Sequence, residues 1–399
     1  MAEAYTVCRA GTYALIDDLG EEEFRRQPDP EFSPAGWHLG HIAYTEANWL
    51  LCRCAGEPLP YPEFRTTFDV NGLPKPERGA KLPPKDEVID YAQDIRARIQ
   101  GQLDAATYER FGRVWHFVLQ HESQHGETIT FLRHLMGERA PQSDDGPALP
   151  IEWIGVPQGP VTIGCDDVAA IDNERPRHAA VLDGFRIARY PVTQGQFARF
   201  IEAGGYQERR WWDAEGWAWL EGTGVSAPLY WRNGLPNHPV MGVCAYEAEA
   251  FARFAGARLP SEAEWEKAAS WNPVSKTASA FPWGQALPGP ETCNCDRAHR
   301  GATAVDRYPA GRSAYGVEDM MGNVWEWTSS EFRGYGGFEP WPYEGYSQIY
   351  FDGKHRVLRG GSWATRPWAM RASFRNWYQP GIRQILAGFR LARDGVADH

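Results

Sequence analysis

The chain has 399 residues and a formal net charge of −11, with 43% hydrophobic and 23% charged residues. Ample core at about 100–200 residues per domain predicts two or three domains, and the acidic surplus argues against nucleic acid or an anionic membrane as a partner. No basic-then-apolar leader and no long apolar run occur, so a cytoplasmic protein without a membrane span is expected.

Residues 1–140 read as helical. Apolar periodicity predicts helices over Tyr5–Leu19, about Trp37–Cys54 and Lys85–Leu103, with a fourth in the segment Trp115–Gly137. Four amphipathic segments predict a four-helix bundle. Ser33-Pro34 supplies a start for the second helix, and Tyr61–Pro84, rich in Pro, Gly and charge, reads as a long loop.

The fourth segment is where chemistry concentrates. Val118, Phe131, Leu132 and Leu135 recur at helical spacing and Gly137 is a plausible stop. On that helix His121 and His125 lie four apart on one face, where two imidazoles can share one divalent ion. Gln124 borders the same face. His38 and His41, three apart on the second helix, offer a further ligand. Packing alone seldom produces a buried cluster of histidines on two helices, because unpaired imidazoles in a core cost free energy.

His121-Glu122-Ser123-Gln124-His125 is also H-E-x-x-H, the zinc-protease pattern with the Glu as general base. The metzincin extension fails at Thr128 and Phe131, and Glu138 lies too near for a third ligand. The plain alternative is a solvated helix face carrying two unpaired histidines.

Residues 141–150, in the Pro- and Asp-rich run Ala140–Pro150, read as a linker. From 151 to 399 the texture changes to short strands such as Val161–Ile163 and Phe185–Ala188, Gly/Pro turns and aromatic loops. Helices are expected over Gln194–Ala203 and Tyr246–Phe254, giving an α+β domain with little regular structure. The seven cysteines are an odd number in a large chain, which fits reduced thiols. The C-x-C pairs at Cys52/Cys54 and Cys293/Cys295 lack structural-zinc spacing. Eighteen tryptophans are a surplus; core packing accounts for some, and an indole face also suits a cationic ligand.

Ser33-Pro34-Ala35-Gly36-Trp37-His38-Leu39-Gly40-His41 with His121-x-x-x-His125 resembles the DinB-type bundle of the ergothioneine-pathway sulfoxide synthases. The remainder resembles their second domain, which has the fold of formylglycine-generating enzymes and is related to C-type lectins. Its motifs are Tyr190-Pro191-Val192-Thr193, Arg258 to Glu266, Asp319 to Trp327, Arg359-Gly360-Gly361-Ser362-Trp363 and Gly388 to Ala392. The resemblance implies Fe(II) held by His41, His121 and His125, with His38 a neighbour and O2 a co-substrate. The reaction it implies joins a chalcogen to C2 of the imidazole of hercynine, a trimethylated histidine.

The same resemblance places substrate contacts at Gln124, Asn376 and Trp377, and a proton-donating tyrosine at Tyr343 with Tyr346 beside it. It places a donor-holding arginine at Arg78. In one branch of the family the residue after Asn-Trp is an Asp that grips γ-glutamylcysteine. Here it is Tyr378, with Arg383 nearby in sequence as an anion contact. A site lacking that carboxylate suits a neutral selenosugar, so the selenoneine synthase branch is the expected one, with the γ-glutamylcysteine- or cysteine-using branch as the alternative.

Three neutral imidazoles leave a metal its full positive charge, which favours an anionic thiolate or selenolate. Three other activities compete. The zinc hydrolase needs Glu122 free. Copper-dependent formylglycine formation needs a cysteine pair that the stretch Arg359–His399 lacks. A lectin-like binding module leaves the histidines without a role.

Overall fold

A computed structural model describes residues 1–138 and 146–395. The predicted linker at 141–150 therefore falls partly outside the described residues. The chain divides into two compact units, the first Met1–Glu138 with Asp167–Ala169, the second the remainder.

The first unit is helical. Its long helices are Ala2–Tyr13, Ala35–Glu46, Lys85–Gln102 and Ala105–Leu135. The first is shorter than its apolar pattern suggests. After Tyr13 the bonds tighten to i→i+3, as in Leu15 N–H to the Thr12 carbonyl at 3.1 Å, and Leu15, Ile16 and Leu19 are buried from a turn. The second gives way at Ala47 to a π-helix reaching Cys54. There Ala55 N–H reaches back five residues to the Leu50 carbonyl, and Leu50 and Leu51 are both buried. The stretch expected as loop contains two short helices, Arg65–Phe68 and Lys75–Lys81; the second follows Pro74 and carries Pro76 in its first turn, where a proline is well suited.

The longest helix begins with a capping box. Asp104 accepts from Thr107 N–H at 2.8 Å, and the Thr107 hydroxyl accepts from Asp104 N–H at 3.0 Å. It ends where expected: Gly137 has φ +101°, a conformation that favours glycine.

Four buried charges tie these helices together, one from each. Arg9 binds Glu46 at 2.8 Å and Glu122 at 2.7 Å, and Arg96 binds the same two carboxylates. Two guanidinium groups and two carboxylates balance, so the bundle buries no net charge at this point.

The second unit is α+β. A three-stranded antiparallel sheet runs Trp153–Val156, Phe185–Ala188, Ala392–Asp394. A four-stranded sheet is ordered Ala387–Phe389, Trp325–Glu331, Arg356–Arg359, Asn376–Tyr378. Its first pair is parallel and the others antiparallel. Beside the expected helices Gln194–Glu202 and Ala245–Phe254 lie Ala214–Thr223 and Glu262–Ser270. The last is opened by a capping box of Ser261 with Glu264.

Residues from four of the sequence motifs meet in the core of this unit. Trp265 Nε1 donates to Glu326 at 2.7 Å, and Arg390 binds the same carboxylate at 2.6 Å. Arg359 and Arg375 both bind Glu262 at 2.9 Å. Trp265, Trp325 and Trp327 are fully buried, so much of the tryptophan surplus is packing. All seven cysteines are free thiols. Among the described residues, no helix is long and apolar enough to cross a membrane.

Candidate metal centre

The Ala35–Glu46 helix presents His38 and His41 three residues apart, and the Ala105–Leu135 helix presents His121 and His125 four apart. In each case one turn separates the pair along one face. Two glycines of the Ala35–Glu46 helix, Gly36 and Gly40, admit aromatic rings against its backbone. A Cβ at Gly40 would lie 2.1 Å from the Phe68 ring, and one at Gly36 would lie 2.3 Å from Phe24.

His41, His121 and His125 each offer a nitrogen, and these atoms lie within 4.8 Å of one another. The Nε2 atoms of His121 and His125 are 3.1 Å apart. Two ligands at right angles, each about 2.1 Å from an ion, would stand about 3 Å apart. The tautomer of His41 is fixed by its surroundings: Nδ1 lies 2.7 Å from the Phe68 carbonyl, which only accepts, so Nδ1 carries the proton and Nε2 a lone pair. Trp37 stacks on His41 with centroids 4.5 Å apart and planes 11° apart. His121 Nδ1 is buried with no hydrogen-bond partner among the described residues.

Burial is the leading cause that lowers the pKa of all four imidazoles. His41 is brought down to about 4, despite its bond to Phe68, and His38 to about 3, with His41 and Arg78 adding to the effect. His121 and His125 fall well below the ordinary histidine value for the same reason, reinforced by their neighbouring imidazoles. At neutral pH the cluster is uncharged, so no proton competes with a cation for its nitrogens. Three convergent neutral imidazoles without a carboxylate fit a divalent transition metal.

Glu122 takes no part in this face. Next to His121 but turned about 100° around the helix, it accepts from Arg9 Nε at 2.7 Å, from the Thr12 hydroxyl at 2.9 Å and from Arg96. Burial alone would raise its carboxyl, but Arg9 and Arg96 override that and hold it at about 2. A carboxylate so enclosed cannot serve as the water-activating base of an H-E-x-x-H hydrolase, and the protease reading is corrected on that ground.

The DinB superfamily matches residues 4–129, and the sulfatase-modifying factor enzyme 1-like domain matches residues 141–395. Along nearly its whole length the chain is similar to proteins named hercynine oxygenase. It is 39% identical to that of Mycolicibacterium smegmatis, over 99% of this chain and 98% of that one. For Mycolicibacterium thermoresistibile the figures are 40%, 97% and 93%, and for Mycobacterium tuberculosis 38%, 97% and 96%. The chain belongs to the hercynine oxygenase family. It is accordingly an oxygenase, an oxidoreductase built from a DinB-like helical domain followed by a sulfatase-modifying-factor-like domain.

Within this family member the other residues singled out by sequence fall as follows. Gln124 is half-buried and lies in sequence between His121 and His125. Arg78 is buried and already engaged: it donates to the Leu73 and Val70 carbonyls and the Ser33 hydroxyl, and its guanidinium lies 3.8 Å over Trp37. These contacts pack Arg78 against the histidine helix, and all three of its acceptors are neutral.

In the second unit Asn376, Trp377 and Tyr378 form an edge strand of the four-stranded sheet. Trp377 stacks on Phe332 at 4.4 Å and meets Tyr346 edge-on at 6.1 Å, and Tyr343 stands 6.4 Å from Tyr346. Tyr343 is 41% exposed while Tyr346 is buried. Arg383 pairs with buried Glu247 at 3.4 Å and donates to the Ala227 carbonyl, so its charge is already compensated.

Sequence reasoning missed the turn Asp172-Asn173-Glu174. Asp172 accepts from the Ser347 hydroxyl at 2.6 Å and from Trp341 N–H at 3.3 Å. Glu174 accepts from Ser373 at 2.7 Å and from Arg371. The turn thus anchors both the tyrosine loop and the approach to the Asn376 strand. Three consecutive polar residues in a loop gave no hint that all three would be buried.

Proposed function

We propose that this oxygenase binds Fe(II) through His41, His121 and His125 and uses O2 to form a carbon–sulfur bond at C2 of the hercynine imidazole. The observation carrying the reading is the convergence of three neutral imidazoles, in a chain 38–40% identical to hercynine oxygenases over nearly its full length. The reaction balances as C2–H plus a thiol R–SH plus O2 giving the sulfoxide C2–S(=O)–R plus water. Four electrons pass to oxygen, two from joining carbon to sulfur and two from oxidising the sulfur.

Iron would supply redox chemistry and favour the thiolate form of the donor. The chain's own residues have the remaining tasks. With no carboxylate ligand, the centre keeps its positive charge for an anionic donor. Gln124 is proposed to touch the substrate, and Asn376 and Trp377, with Tyr346, to hold hercynine, the indole suiting a trimethylammonium group at roughly 0.5–2 kcal/mol. Tyr343 is proposed to deliver a proton to reduced oxygen; its exposed position leaves the ring accessible.

The full-length relatives are named hercynine oxygenase and weigh toward the sulfoxide-forming branch, for which γ-glutamylcysteine or cysteine is the proposed donor. Tyr378 favours the second reading, a selenosugar donor as in selenoneine synthases, because it supplies no carboxylate for an amino-acid ammonium group. Anaerobic Fe(II) loading, then hercynine and O2 with γ-glutamylcysteine, cysteine or selenosugar in separate reactions, tests both. Sulfoxide formation with a thiol is expected. Turnover with the selenosugar alone would transfer the assignment to selenium, and an iron-loaded protein idle with all three would overturn the hercynine reading.

A further inference from the structure

The three ligand imidazoles differ in what stands behind them. His41 Nδ1 faces the Phe68 carbonyl at 2.7 Å, and His121 Nδ1 has no partner among the described residues. His125 Nδ1 faces another imidazole: Nδ1 of His38, at 2.7 Å, with ring centroids 4.9 Å apart. His38 itself is buried and held edge-on by Trp37.

A 2.7 Å contact between two ring nitrogens requires one proton between them, and only two arrangements exist. If His38 Nδ1 donates, His125 Nδ1 is the acceptor and the His125 proton sits on Nε2. That proton would then point toward His121 Nε2, 3.1 Å away, and no lone pair would be left for an ion. If His125 Nδ1 donates, its Nε2 lone pair faces His121 and His41, and the proton of His38 is on Nε2. Only the second arrangement is competent to bind metal.

We propose that His38 is a positioning residue of the metal centre, accepting the Nδ1 proton of His125 and so fixing that ligand in its metal-binding tautomer and ring orientation. This rests on the reading of His41, His121 and His125 as metal ligands. One helix thereby supplies a ligand, His41, and three residues earlier the partner that orients a ligand on another helix. Metal-bound histidines generally need such a partner, and its loss typically costs 10–100-fold in metal affinity. A carbonyl can only accept, as behind His41, and His38 fills the same accepting role behind His125 once its own proton is on Nε2.

Co(II) titration of the full chain, followed by its visible absorption, tests the proposal. His38→Ala should weaken Co(II) binding 10–100-fold, and His38→Asn, whose amide oxygen can accept the same proton, should recover most of the loss. Nitrogen-15 NMR of wild-type protein loaded with Zn(II) should find His38 protonated on Nε2 and bare on Nδ1, a measurement that needs no variant to fold. Unchanged affinity in a folded His38→Ala protein, or a Zn(II)-loaded His38 carrying its proton on Nδ1, would overturn the proposal. Wild-type protein that binds neither ion would instead overturn the metal reading beneath it.

Discussion

Glu122 and His121 are neighbours in sequence and serve different faces of one helix, about 100° apart. A short motif records spacing but not direction, and here direction decides between a base and a structural anion. Its partner Arg9 is 113 residues away in the chain, so the pairing was not legible before folding, whereas the one-turn spacing of His121 and His125 was. The His38–His125 bond was illegible for the same reason. Glu122→Gln should remove one of two buried anions and leave a guanidinium uncompensated, costing about 3–5 kcal/mol in urea denaturation at neutral pH. The pH dependence carries a sign as well. The carboxyl titrates at about 2 when folded against 4.5 for a free one, so its stabilisation is complete above pH 4.5 and is lost as pH falls toward 2. The variant should lack that part of the acid limb; equal stability and an unchanged acid limb would show that the four-charge cluster does not hold the bundle.

At the level of the element, the Ala35–Glu46 helix packs unlike ordinary amphipathic helices. All twelve of its residues are buried, and its two glycines, four apart, let aromatic rings lie against the backbone. Phe68 contributes twice, its ring resting on Gly40 and its carbonyl holding His41. Gly40→Ala should therefore push Phe68 away, at about 1–3 kcal/mol in stability, and weaken metal binding in the same variant. A protein that loses stability but binds metal as before would separate the ring contact from the orientation of His41. The helix itself was readable from Ser33-Pro34 and its apolar content. Phe68 was not, because proline and charge made Tyr61–Pro84 read as loop and concealed the two short helices that bring it in. In the second unit the helices expected over Gln194–Ala203 and Tyr246–Phe254 form as Gln194–Glu202 and Ala245–Phe254, and the first opens on a local capping box of Thr193 with Gln196.

For the molecule as a whole, two different folds are joined in one chain, and relatives covering 97–99% of it share the pairing. The motifs that made the architecture visible in sequence meet at buried ion pairs, such as Arg390 with Glu326, where loss of one partner would leave a buried charge uncompensated. The donor was not visible: discrimination is a difference between two binding free energies, and a few contacts of modest size decide it. Tyr378 alone does not supply that difference. The proposed chemistry requires an ion at the three histidines, so the most direct measurement is the iron retained per chain after anaerobic Fe(II) loading and desalting, read beside hercynine turnover under O2. A single iron and turnover are predicted for the wild type, and neither for His41→Ala, His121→Ala or His125→Ala. Iron retained at full occupancy in those variants, or a wild type that takes up none, would contradict the three-histidine centre.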